Sequence, residues 1–278
     1  MEELEASSDR PKAPRVGILT PIKPSGEIDL HERWAEPFLN RKYLNHKYEV
    51  ALLRVDEKLE DVDRLLNHLD GFLLPGGDSD ISEEFRNASS YDVPVTKDKL
   101  IDEQRDEFAT QLARKLLGRG LTTLAICRGM QEVGVAFGAP LEKVGEEHAV
   151  GYADGKDHMQ RDEIVHDVII QPRTILSETI GEGRVGTNSI HRDGFFYDRW
   201  PIQMKYDFKI ESISVEEEPK NRLVEAFSSI HRAIFAIQGH PEWNFGEGRN
   251  QWHKAIYGER FGRIEQHFKQ RLMHPVLP

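Results

Sequence analysis

The stretch Leu121–Glu132, "LTTLAICRGMQE", decides how the chain is read. A short apolar run, Leu124-Ala125-Ile126, ends in Cys127, and Arg128-Gly129 then opens a segment of helical character. A strand that passes directly into a helix is the building step of a parallel α/β sheet. Around Cys127 a small residue lies two before (Ala125) and a glycine two after (Gly129), the spacing that a sharp strand-to-helix turn needs. Such a turn exposes the side chain at a helix N-terminus, where partial positive charge favours a thiolate. The amide of Arg128 would then face an oxyanion formed by attack at Cys127. The plain alternative is a free cysteine that serves as one more small buried hydrophobe.

Short apolar runs alternate with amphipathic ones on either side of this stretch. "RVGILTP" (15–21), "YEVALLRV" (48–55) and "GFLLPGG" (71–77) read as strands. "DLHERWAEPFLNRKYL" (29–44, interrupted by Pro37), "EKLEDVDRLLNHL" (57–69) and "DKLIDEQRDEFATQLARKLLGRG" (98–120) read as helices. In the second of these, Leu59, Val62, Leu65, Leu66 and Leu69 fall at helical spacing. The order predicts an α/β fold with a doubly wound, mainly parallel, flavodoxin-like sheet flanked by helices. The C-terminal half is richer in β: "HDVIIQP", "DFKIESISVEE", "LVEAF" and "AIFAIQGHPE". The polar stretch 144–164 between the halves has no periodicity and reads as a surface loop. In open α/β sheets ligands bind beyond the carboxyl ends of the strands, so Cys127 and "PGG" should share one crevice.

Bulk properties narrow the function classes. A chain of 278 residues accommodates one large α/β domain or two small ones, and is read as a disordered tail (1–14) followed by a single domain (15–278). A net charge of −11 argues against nucleic acid as a partner, because phosphate neutralisation needs basic surface. One cysteine cannot form an internal disulfide, which suits a reducing compartment. The N-terminal stretch lacks the apolar core of a signal peptide, and no run approaches the ~18 apolar residues of a membrane span. The expectation is a cytoplasmic protein with no membrane partner.

A cysteine nucleophile needs a base. Of twelve histidines, His240 stands out because it follows the apolar run "AIFAI" and so sits at a strand's C-terminal end. Glu242 is two residues on; in extended chain both side chains point the same way, and the carboxylate reaches the far imidazole nitrogen. A chance turn after a buried strand is the competing reading. Gly76 and Gly77 follow the third strand, and glycine there lets the backbone approach a ligand and offer a second oxyanion amide. Asp78, Asp80, Glu83 and Glu84 lack the glycine and spacing of a calcium loop and read as solvated carboxylates. No metal and no cofactor are expected.

"PGG", "ICRGMQ" and "HPE", in that order, resemble the class I glutamine amidotransferase-like superfamily. More narrowly, the chain is similar to the gamma-glutamyl-gamma-aminobutyrate hydrolase family, through "CRGMQ", "HPEWN", "DEQRDEF" and "TNSIH". The resemblance implies a Cys127–His240–Glu242 triad that hydrolyses a γ-glutamyl amide, with the oxyanion held by the amides of Gly77 and Arg128. It places Gln131, His191, Gly76 and Asp78 near the substrate and implies a small γ-glutamyl compound as partner, with a homodimer as the candidate assembly. Three departures from the family pattern bear on the amine half of the substrate: Gly239 in place of a large aromatic, "FGAPL" in place of a double glycine, and Asp78 in place of a small residue or proline. Asp78 would suit a cationic amine. The rival readings are a glutaminase subunit that passes ammonia to a synthetase, a folate poly-γ-glutamate hydrolase, and a catalytically silent binding protein.

Overall fold

The computed structural model describes residues 13–20, 48–55, 57–77, 79–87, 103–145, 148 and 164–244, with 256, 258–260, 262–264, 266 and 270. The expected tail up to residue 12, the helix at 29–44, Asp78 and most of the loop at 144–164 lie outside them. The first half runs β1 (Arg15–Thr20), β2 (Glu49–Arg54), α1 (Leu59–Leu66), β3 (Gly71–Leu74), α2 (Glu103–Arg119), β4 (Thr123–Ile126) and α3 (Arg128–Ala136). The second half adds β5 (Glu142–Lys143), β6 (His166–Ile170), α4 (Ile175–Ile180), β7 (Gly183–Thr187), β8 (Asp193–Phe196), β9 (Phe208–Ser214), β10 (Leu223–Ser229) and β11 (Ile234–Ile237).

The sheet order is β2-β1-β3-β4-β11-β10-β9-β6-β7, with β8 paired to β10 and β5. From β2 to β11 every neighbouring pair is parallel. From β11 onward the pairs are antiparallel. The parallel half is the expected doubly wound core, and the β-rich C-terminal half continues the same sheet.

Parallel strands buried on both faces read as continuous apolar runs, and β4 shows why. Leu124 and Ile126 pack with Val16, Ile18, Leu73, Phe235 and Ile237, while Ala125 points to the other face among Leu74, Leu112 and Met130. The first face is covered by Ile175 and Leu176 of α4 and by Ile256 and Ile264 near the C-terminus. The second is covered by α1, α2 and α3. Full burial of each such side chain is worth about 1.5–3 kcal/mol.

Strand register then brings three loops to one edge. Leu74 and Ala236 both pair with Ala125, and Ile237 pairs with Ile126. The chain therefore leaves β3, β4 and β11 at one level, and the Cys127 amide donates to the Ile237 carbonyl at 2.8 Å.

Four elements escape the sequence reading. β7 ("GRVGT") and β8 ("DGFF") carry glycines that dilute the strand pattern, and β5 is two residues long. The six-residue helix α4 is set by a capping box, in which Thr174 Oγ1 accepts from the Ser177 amide and Ser177 Oγ accepts from the Thr174 amide. The presumed surface loop also needs correction at His148, which is buried. Its carbonyl accepts hydrogen bonds from Ser189 Oγ and the His191 amide.

Candidate active site

Cys127 has φ 50° and ψ −110°, a left-handed conformation rarely taken by a residue with a Cβ. The turn holds it between the end of β4 and the first residue of α3. Gly129 is required here: a Cβ at this position would lie 2.2 Å from the Leu74 carbonyl oxygen of β3. The tight strand-to-helix turn expected from sequence is thus present, and its glycine is explained by the close approach of β3.

His240 Nδ1 lies 2.6 Å from Glu242 Oε1, and Cys127 is within hydrogen-bonding reach of the same ring. Burial by itself favours the neutral imidazole, but the Glu242 carboxylate and the neighbouring Cys127 outweigh it. The His240 pKa is pushed up to about 10. The geometric reason differs from the one expected, because residues 241–244 form a 3-10 turn and not extended chain. The turn itself swings Glu242 back onto the ring.

Asn188, from the "TNSIH" stretch, clasps His240 by its backbone. Its Nδ2 donates to the His240 carbonyl at 3.0 Å, and its Oδ1 accepts from the His240 amide at 2.8 Å. Gly239 makes room for this clasp, since a Cβ there would stand 2.7 Å from Thr187 Oγ1 and 3.1 Å from Asn188 Oδ1. The absence of a large aromatic at 239 has a local steric cause.

The loop after β3 is held by a buried charge network. Arg105 donates to the carbonyls of Pro75 and Gly76 at 2.7 and 3.1 Å and to both Glu132 oxygens at 2.6 and 3.2 Å. Arg128 donates to Glu132 at 3.1 Å, to Asp106 at 2.6 Å and to the Ser79 carbonyl at 3.3 Å. Asp106 in turn accepts from the Ser82 amide at 2.8 Å. "DEQRDEF" thus supplies the residues that tie the Gly76-Gly77 loop to α3. Gly77 packs directly on this layer, where a Cβ would lie 2.8 Å from the Arg105 guanidinium. Asp80, expected as a solvated carboxylate, is ion-paired with Lys143 at 3.3 Å.

Gln131 lies one helical turn beyond the nucleophile, and its amide donates to the Cys127 carbonyl. Its side chain donates to the Asp193 carbonyl at 2.9 Å and to Gln238 Oε1 at 3.3 Å. Gln238 Nε2 lies 3.6 Å from Cys127 Sγ. His191 Nδ1 is 3.0 Å from the same Asp193 carbonyl, and burial lowers its pKa to about 4, so the ring is neutral. Cys127, His240, Glu242, Arg128, Gly76 and Gly77 are therefore gathered at one sheet edge, with Gln131 and His191 linked to them through Gln238 and Asp193.

A family model described as peptidase C26 matches residues 25–242. The chain belongs to the peptidase C26 family. The match ends on Glu242, so it spans Cys127, the "TNSIH" clasp and His240. The gamma-glutamyl-gamma-aminobutyrate hydrolase PuuD of Escherichia coli strain K12 is 29% identical over 227 residues, covering 75% of this chain and 80% of that protein. A gamma-glutamyl-gamma-aminobutyrate hydrolase of Shigella flexneri is 28% identical over the same length. The glutaminase domain of Trypanosoma brucei CTPS, solved with bound acivicin, aligns with a TM-score of 0.62 at 14% identity, covering 91% of this chain and 94% of that one. Peptidase C26 membership and this likeness establish a class I glutamine amidotransferase-like fold and a hydrolase family.

Asn188, Arg105, Asp106, Glu132 and Gln238 are parts of this candidate site that the sequence alone does not single out. Arg105, Asp106 and Asn188 lie inside motifs quoted above for resemblance alone. Their partners are 22 to 52 residues away in the chain, where no local pattern can signal them.

Proposed function

We propose that the protein hydrolyses the γ-glutamyl amide bond of a small γ-glutamyl-amine, of the γ-glutamyl-aminobutyrate or γ-glutamyl-polyamine type. The observation that carries this reading is the Cys127–His240–Glu242 relay at the strand ends. The names of the hydrolase relatives support the choice of substrate.

Cys127 Sγ attacks the δ-carbonyl of the glutamyl group, and the carbonyl oxygen becomes an oxyanion facing the Gly77 and Arg128 amides. His240, charged and oriented by Glu242, gives its proton to the departing amine as the tetrahedral adduct collapses to a thioester. Water then attacks the thioester, His240 takes the water proton, and the thiolate leaves as glutamate is freed. Gly76 borders the glutamyl group from the loop after β3. Gln131 and His191 shape the same subsite through the Asp193 carbonyl.

The test is glutamate release from a panel of glutamine, γ-glutamyl-aminobutyrate, γ-glutamyl polyamines and folate polyglutamate, comparing wild type with Cys127→Ala. Release from one or more γ-glutamyl-amines by wild type alone supports the reading. Release from glutamine only, and only with a cell extract present, points to an ammonia-donating glutaminase subunit instead. Equal, background release by both proteins refutes hydrolysis.

A further inference from the structure

The Asp193 carbonyl that receives Gln131 also receives His191, and His191 belongs to a second buried polar cluster. One ligand atom from each of His148, His166 and Glu225 lies within 4.8 Å of the others. His166 Nε2 is 3.3 Å from Glu225 Oε1, and His191 Nε2 is 3.9 Å from the same oxygen. The His148 ring stands 4.8 Å from that of His166 and 5.3 Å from that of His191, centroid to centroid. His148, His191 and Glu225 are each only 3% exposed.

Buried polar atoms are nearly always hydrogen-bonded. Among the described residues, His148 Nδ1, His166 Nδ1 and His191 Nε2 have no hydrogen-bond partner, and His166 Nε2 and Glu225 Oε1 face each other at 3.3 Å without hydrogen-bond geometry. Their orientation sharpens the anomaly. His191 Nδ1 donates to the Asp193 carbonyl, which leaves Nε2, 3.9 Å from Glu225 Oε1, as its unpartnered atom. His148 places Nε2 3.4 Å from Glu216 Oε1, which leaves Nδ1 as its unpartnered atom. A histidine anchored at one nitrogen by a carbonyl or carboxylate, with the other bare, is the arrangement that outer partners impose on metal-bound histidines.

We propose that His148, His166 and Glu225 bind a divalent transition-metal ion of the zinc class, with His191 Nε2 as the fourth ligand. Imidazole nitrogens and a carboxylate are the donors such ions take. Zinc bonds of about 2.0–2.2 Å in a tetrahedron put neighbouring donors about 3.4 Å apart, close to the His166–Glu225 spacing of 3.3 Å. The other donors, up to 4.8 Å apart, close to that spacing when the ion binds. The ion ties the segment at 148 to the start of β6, to β10 and to the segment before β8. Four protein ligands leave no open position, so its role is structural: it fixes the Asp193 carbonyl on which Gln131 rests. This departs from the sequence expectation that no metal is needed.

The test is metal content of the purified full chain after equilibration with zinc alone and removal of excess by buffer exchange. Close to one zinc per chain is expected, and cobalt in its place should show the visible absorption of a four-coordinate site. Glu225→Gln and His166→Ala should lose the ion, and Glu216→Gln should weaken binding about 10–100-fold. Cys127→Ala should keep it. Stoichiometry and cobalt absorption are read on wild type, so a variant that fails to fold does not block the test. A wild-type chain that retains no zinc overturns the proposal. So does zinc that survives in folded Glu225→Gln or disappears in Cys127→Ala, which would put the ion at another site.

Discussion

Asn188 holds His240 by both of its backbone polar groups, donating to its carbonyl at 3.0 Å and accepting from its amide at 2.8 Å. The candidate base is thus positioned by its main chain, independently of the Glu242 contact to its ring. Removing the Asn188 amide leaves two buried backbone groups unpaired at about 1–3 kcal/mol each, about 2–6 kcal/mol together. Asn188→Ala should lower stability by that amount in urea unfolding. Slight displacement of the ring should cut kcat for glutamate release by about 10²-fold, with KM less affected.

Gly239 is coupled to that clasp. A side chain at 239 meets Thr187 Oγ1 and Asn188 Oδ1 at 2.7 and 3.1 Å, so Gly239→Ala should cost about 1–3 kcal/mol through overpacking. The penalty should shrink in an Asn188→Ala background, where one of the obstructing atoms is gone. A double-mutant cycle on unfolding free energies reads this coupling. Equal penalties in both backgrounds would mean that the glycine serves something else.

Arg105 and Glu132 form a buried pair that also carries the loop of Gly76. Arg105→Ala leaves the Glu132 carboxylate with one arginine in place of two and strips the Pro75 and Gly76 carbonyls of their donor. Breaking one partner of a buried pair typically costs about 3–5 kcal/mol. The expected result is a large fall in urea midpoint, with Arg105→Lys intermediate because lysine lacks the two-pronged geometry.

The raised pKa of His240 has a defined sign. Its folded value of about 10 lies above the ordinary 6.5, so charged His240 stabilises the fold fully below about pH 6.5. That contribution is lost as pH rises from there through 10. Wild-type unfolding free energy should therefore fall between pH 7 and pH 10 more steeply than that of Glu242→Gln, in which the anion facing the ring is gone. Parallel pH profiles for the two proteins would contradict the assignment.

Much of the site was legible because its chemistry sits at strand ends. "TLAIC" and "AIFAIQGH" show where β4 and β11 stop, and parallel register turns that into proximity. Gly129 was legible as a turn residue, although the backbone it clears, Leu74 of β3, is 55 residues back. Glu242 was found by the wrong local geometry, since extended chain and a 3-10 turn both return residue i+2 to the histidine. Asn188, Arg105 and Glu132 were opaque in role, because their partners are set by packing between distant elements. The same holds for His148 and His166, which are brought to Glu225 from polar sequence with no metal-ligand spacing. β7 and β8 were hidden by glycines that lower strand propensity while the sheet supplies the pairing.

The proposed reaction passes through a covalent glutamyl intermediate on Cys127. Rapid acid quench during turnover of a γ-glutamyl-amine, followed by mass spectrometry of the digested protein, tests it directly. An added glutamyl group is expected on the peptide that carries Cys127, absent from Cys127→Ala, and accumulating when His240→Ala slows its hydrolysis. Glutamate release that continues in Cys127→Ala, or an adduct on any other residue, would contradict it.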